Sequence, residues 1–181
     1  MSIVKNALSI FGRDSLLTIT NILTGIFIAR SLGPEILGLW FILNLIPVYA
    51  EGFLRSKADI ASVYFFGKKK YKDYEIISSL NIVALATSFI FIIFVYLFSD
   101  FLYSYLFTNS TINLKLEFFI ILIQIPLQFL SLNYSYYHIA IDNITVYNKK
   151  IIFQSFSYSL ISISLIYLLN LGLWSVIIAS I

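Results

Sequence analysis

Between Glu75 and Asp100 no residue carries a formal charge, and most are Ile, Leu, Phe, Val or Ala. A helix of about 20 such residues crosses the roughly 30 Å hydrocarbon layer of a bilayer. Only helices and closed barrels satisfy their backbone groups there. The rest of the chain is of the same kind: 60% of its 181 residues are hydrophobic and 12% charged. Soluble domains carry about 25% charged residues. Composition therefore excludes a soluble enzyme domain, a nucleic-acid reader and a disordered chain. The fold class is all-α, a polytopic membrane helix bundle.

Reading between charges places complete spans at about 8–30, 36–57, 76–99, 118–141 and 151–169. Asn170-Leu171-Gly172 is the turn after the fifth, and residues 173–181 open a sixth. Nine helical residues cover only about 14 Å. The expectation is therefore the front part of a longer protein, an incomplete N-terminal lobe whose C-terminal lobe is missing. The first span is broken by Arg13, Asp14, Thr18 and Asn21 and reads as an uncleaved helix.

Charge placement sets the expected orientation. Arg55, Lys57, Lys68, Lys69, Lys70 and Lys72 follow span two, and Lys149 and Lys150 follow span four. Arg30 and Lys115 are alone in the other loops, so the N-terminus is expected in the cytoplasm. The Lys68–Lys70 run reads as a topology anchor, with a site for anionic lipid headgroups as the sharper alternative. Asn109, Asn133 and Asn143 stand in N-x-S/T patterns that read as chance. With no cysteine, one histidine, no HExxH and no nucleophile–base pair, no metal, cofactor or catalytic site is expected.

Polar residues inside the spans fall on stripes. Gln124, Gln128, Ser131, Ser135, His138 and Asp142 recur at alternating steps of four and three. They occupy an arc of about 80° on a helix. Asn44, Glu51, Arg55 and Asp59 share a face of span two, where Glu51–Arg55 and Arg55–Asp59 are i,i+4 opposite charges. Span one puts Arg13, Thr20 and Thr24 on one arc, and span five aligns Ser155, Ser159 and Ser162. Such stripes either join helix to helix by hydrogen bonds or line a wet cavity. Three strong stripes together favour a hydrophilic cavity, hence a transporter. His138 alone reads more readily as a structural donor than as a proton relay.

The segment Ile28-Ala29-Arg30-Ser31-Leu32-Gly33-Pro34-Glu35-Ile36-Leu37-Gly38-Leu39-Trp40 resembles the first loop of Wzx-type polysaccharide and O-antigen flippases. These belong to the multidrug/oligosaccharidyl-lipid/polysaccharide exporter superfamily. Ala50-Glu51-Gly52-Phe53 before a basic loop is similar to the end of that family's second helix, where Asp usually replaces Glu51. Residues 117–155 resemble its fourth and fifth helices, with Asp142-Asn143 where an arginine is frequent. The resemblance implies about 12 to 14 helices in two repeat-related lobes that rock about a central site. It implies movement of undecaprenyl-diphosphate-linked oligosaccharide across the bacterial inner membrane for O-antigen, capsule or exopolysaccharide synthesis. The implied partners are that lipid-linked oligosaccharide, the bilayer and the second lobe, without nucleic acid. On this chain, Arg13 and Arg55 would contact the diphosphate, with Glu51 and Asp59 orienting them. Gln124, Gln128, Ser131 and His138 would hydrogen-bond sugars.

Three other readings compete. One is a drug or metabolite exporter of the same superfamily, using an intramembrane carboxylate for cations. Another is a membrane-embedded glycosyltransferase or polymerase, for which the outer loop offers only Asp100, Lys115 and Glu117. The third is a non-functional fragment.

Overall fold

The computed structural model of the chain describes residues 3–55, 58–68, 71–107 and 112–181. Lys57, Lys69, Lys70 and Asn109 lie outside the described residues, as does the side chain of Asp59. The described residues are helical almost throughout and contain no strand. Helix α1 is Ile3–Leu54, α2 Ala58–Lys68, α3 Asp73–Leu97 and α4 Ser99–Leu106. Helix α5 is Lys115–Ile120, joined through a 3₁₀ turn at Ile121–Ile123 to α6, Gln124–Ala140. Helices α7, Ile144–Leu169, and α8, Leu173–Ser180, complete the order. Four stretches are long and apolar enough to cross a membrane: Asn6–Leu54, Asp73–Leu97, Lys115–Ala140 and Ile144–Leu169. This is the make-up of a multi-pass membrane protein. Phe11, Leu23, Ile90, Leu97, Phe153 and Leu168 are large, apolar and exposed, which suits a lipid solvent.

The first two expected spans lie within α1, which is interrupted at Gly33. There φ is 82° and ψ 164°, a conformation essentially reserved to glycine. Pro34 follows and supplies no amide proton. A Cβ on Gly33 would meet nothing within 4 Å, so a side chain there is penalised through the backbone alone. Gly33→Ala is expected to destabilise the protein by about 1–3 kcal/mol. Thermal melting in detergent checks this, with Gly52→Ala as the comparison, since Gly52 is helical and equally uncrowded.

Helix α7 begins seven residues before the expected span, at Ile144 rather than 151. The Asn143 side chain accepts a hydrogen bond from the Val146 amide at 3.4 Å and caps it. Asn148, Lys149 and Lys150 are therefore helical residues and not a loop. The fourth stripe also loses its last member to the backbone. Asp142 has φ 57° and lies outside α6. The tightened turn at Ile121–Ile123 precedes Pro126, whose missing N–H leaves the Leu122 carbonyl without its usual helical donor. At the other end of α7, Asn170 is left-handed and Gly172 has φ 57°, which turns the chain into α8.

The chain divides into two compact units. The first comprises Met1–Trp40 and Asp142–Ser180, the second Phe41–Ile141 with Ile181. In the first, hydrogen bonds Arg13–Asn148, Asn21–Ser155 and Thr24–Ser159 join residues a nearly constant distance apart in sequence. A constant difference means that the first part of α1 and α7 run parallel. Thr24 and Ser159 are both buried, and their hydroxyls meet at 2.7 Å. Ile28 and Ile166 continue the packed core, and Val176 and Ile177 of α8 are completely buried. In the second unit, α2 and α3 both pack on α6. Glu51–Gln128 and Arg55–Asn133 again differ by a nearly constant offset, so the end of α1 runs parallel to α6. Asn81–Asn133 and Asp73–Tyr137 have a nearly constant sum, so α3 is antiparallel to α6. Phe118, Ile121, Ile125 and Phe129 form the buried face of that helix line.

Candidate functional site

The expected stripe residues fall into two groups, one in each unit. In the second unit the last turn of α1 carries Glu51 and is followed by Arg55. Their i,i+4 spacing led to the expectation of an ion pair. The structure differs: among the described residues the ion pairs are Arg13–Asp14 and Lys115–Asp100. Each charge instead finds an amide on α6. The Glu51 Oε2 accepts a hydrogen bond from Gln128 Nε2 at 2.8 Å. The Arg55 Nη2 donates to Asn133 Oδ1 at 3.3 Å. Asn133 is buried and passes the contact on, its Nδ2 donating to Asn81 Oδ1 of α3 at 3.0 Å. The guanidinium also lies over two rings of α6, 4.9 Å from the Tyr136 centroid and 5.9 Å from Phe129.

Among the described residues of this unit, four atoms are buried without a hydrogen-bond partner: Arg55 Nη1, Gln124 Oε1, Gln128 Oε1 and His138 Nδ1. Buried polar atoms are nearly always paired, so each unpaired one asks for an explanation. Here donors and acceptors are both in surplus within one helix set, and all four belong to residues that the stripes single out. Ser131 lies on the same face, its carbonyl accepting from Ser135 Oγ at 3.1 Å. The His138 ring stands 5.3 Å from that of Tyr137.

Arg13 lies in the first unit and is more fully engaged. Its Nε and Nη2 both donate to Asp14 Oδ1, at 2.9 and 2.7 Å, and Nη1 donates to Asn148 Oδ1 at 2.8 Å. Asn148 Nδ2 in turn donates to Ser9 Oγ at 2.8 Å. The guanidinium sits 5.0 Å from the Tyr147 ring centroid, and only 11% of the side chain is exposed. Beside it is a cavity of about 250 Å³ lined by Ser9, Arg13, Thr145, Asn148 and Lys149 among others. Arg13 is thus both neutralised by Asp14 and tied to α7.

Asn133, Asn81 and Asn148 were not singled out from the sequence. Asn81 had the clearest signal, being the sole amide between Glu75 and Asp100. Asn133 lies off the stripe, on the face of Ile125 and Phe129, where its pattern suggested only a chance N-x-S. Asn148 falls in the sequence between the expected fourth and fifth spans. Among the described residues no group of three His, Cys, Asp or Glu is placed to hold a metal ion. The chain matches no model of a protein family, no curated protein and no solved structure.

Proposed function

We propose that this chain is the N-terminal lobe of a flippase for undecaprenyl-diphosphate-linked oligosaccharides in the bacterial cytoplasmic membrane. Its N-terminus faces the cytoplasm, and five complete spans are followed by the start of a sixth. Three helix directions support that alternation. The first part of α1 is parallel to α7, the end of α1 is parallel to α6, and α3 is antiparallel to α6. Spans one and five, two and four, and three and four would have these relations.

One observation carries the functional reading. Arg55 is a permanent cation packed among membrane helices; among the described residues it bonds to an amide and pairs with no carboxylate, and its buried Nη1 has no hydrogen-bond partner. A charge at that depth is costly unless a partner or a function retains it. A guanidinium presents paired N–H groups that fit phosphate oxygens. In this reading Arg55 receives a phosphate of the lipid diphosphate. Asn133 and the Tyr136 ring hold it in place. Gln124, Gln128, Ser131 and His138 offer donors and acceptors to sugar hydroxyls. Arg13 has the lesser part, because Asp14 already neutralises it.

One observation favours a second reading. Glu51 has no ion-pair partner among the described residues and takes only Gln128. An unpaired carboxylate suits a cation exporter of the same superfamily. Complementation separates the two. The full protein that carries this chain, expressed in bacteria lacking their own O-antigen flippase, is expected to restore surface polysaccharide. No surface polysaccharide at normal expression, with resistance to a lipophilic cation gained, would replace the flippase by the exporter.

A further inference from the structure

We propose that the second unit binds one anionic phospholipid at the start of α3, with the headgroup on Lys68 and Lys72 and an acyl chain in the groove between α2 and α3. The groove has a volume of about 370 Å³ and is lined by Phe65, Tyr71, Glu75, Ile76, Ser79, Leu80 and Val83. Its walls are almost wholly apolar, which suits a hydrocarbon chain and no sugar or nucleotide.

Two cations neighbour the lining residues of the groove, each lying beside a ring. The Lys68 ammonium is 4.5 Å from the Tyr64 centroid. Tyr64 meets Phe65 edge-on at 5.6 Å, and Phe65 meets Tyr71 at 6.3 Å. A continuous row of rings thus leads from Lys68 into the groove wall. Lys72 lies 5.7 Å from the Tyr74 centroid, and its backbone N–H donates to Glu75 Oε2 at 3.2 Å. Tyr74 donates its hydroxyl to Glu75 Oε1 at 3.3 Å. The carboxylate of the groove is therefore already engaged, while both lysines are exposed and lie beside aromatic faces.

Depth supports a lipid as the occupant. Lys72 immediately precedes the membrane-crossing stretch Asp73–Leu97. The tyrosines around it form the aromatic layer found at membrane surfaces. In the sequence Lys69 and Lys70 lie between these two lysines. Charge complementarity selects an anionic headgroup, and the apolar groove at that depth selects a diacyl lipid over a soluble phosphate. This inference rests on the membrane-spanning character of the helices and is independent of the flippase reading.

The test uses the full protein in detergent, given dioleoylphosphatidylglycerol and dioleoylphosphatidylcholine in equal amounts, with retained lipid read by native mass spectrometry. Phosphatidylglycerol is expected to be retained preferentially. Lys68→Gln and Lys72→Gln are each expected to lower that preference about fivefold, the equivalent of about 1 kcal/mol per lysine at a membrane surface. Ser79→Trp, which places an indole in the groove, is expected to lower it as much. Val83→Trp is the second groove variant should Ser79→Trp fail to fold. Lys115→Gln, at a lysine paired with Asp100, is expected to leave it unchanged. Three results would each overturn the site: lysine variants without effect, groove variants retaining the full preference, or glycerol phosphate displacing the lipid.

Discussion

Arg55→Gln is expected to slow translocation of a diphosphate-linked oligosaccharide by about 10- to 150-fold, the loss of one charge-assisted contact of about 1.5–3 kcal/mol. Glutamine keeps a polar amide but is shorter than arginine and falls short of Asn133 Oδ1, so the melting temperature of the variant is measured beside its rate to separate loss of that contact from loss of the charge. The substitution removes the charge and the forked geometry. Arg55→Lys keeps the charge but not the fork, and an ammonium on a flexible stem does not replace a planar guanidinium over the Tyr136 ring. The lysine variant is therefore expected to recover only part of the rate. Initial rates in vesicles at equal protein content check this. Full activity in Arg55→Gln would remove the phosphate role.

Asn133→Leu is expected to give the largest loss of stability, about 2–4 kcal/mol, because two polar groups lose their partner at once. Asn133 is buried and stands between Arg55 and Asn81, accepting from one and donating to the other. Leucine has the same branching and a larger volume, so no cavity adds to the effect. Asn81→Leu leaves one amide unpaired and costs less. The double variant is expected to be more stable than the two single effects added together, since it removes both ends of the Asn81–Asn133 bond. Thermal melting of the four proteins in one detergent completes the cycle. Strict additivity would mean that the 3.0 Å contact contributes nothing. Average hydrogen bonds between membrane helices contribute only about 0.6 kcal/mol, so a coupled chain of three residues is the place to look for more.

Much of this architecture is legible in the sequence, and the reason is the solvent. A bilayer forces apolar length and internal hydrogen bonding, so the charge-free run after Glu75 could hardly be anything but a long helix. Gly33 was legible for a local reason, since Gly-Pro both permits a positive φ and breaks the helical ladder. Asn143 was missed as a helix cap, although Asn before an apolar run is a cap signal, because Lys149 and Lys150 suggested a loop.

The site was legible in part. Periodicity brings Gln128, Ser131 and His138 to one face because it depends only on the geometry of one helix. Partners depend on which helix lies opposite, and no period encodes that. Glu51 and Arg55 stand one turn apart, yet each finds an amide on α6. A neighbouring charge on the same helix was thus the nearer candidate in sequence and the wrong one in space. Asn133 was hidden for the same reason, being a polar residue on an otherwise apolar face.

The most direct test of the central claim is reconstitution of the full protein that carries this chain into vesicles. A lipid-diphosphate-linked oligosaccharide is loaded in the outer leaflet, and its accessibility to an added lectin is followed over time. For a flippase, the accessible fraction is expected to fall toward one half in vesicles containing the protein and to stay constant in empty ones. An accessible fraction that stays constant in both, with folded protein confirmed by its melting curve, would contradict that claim.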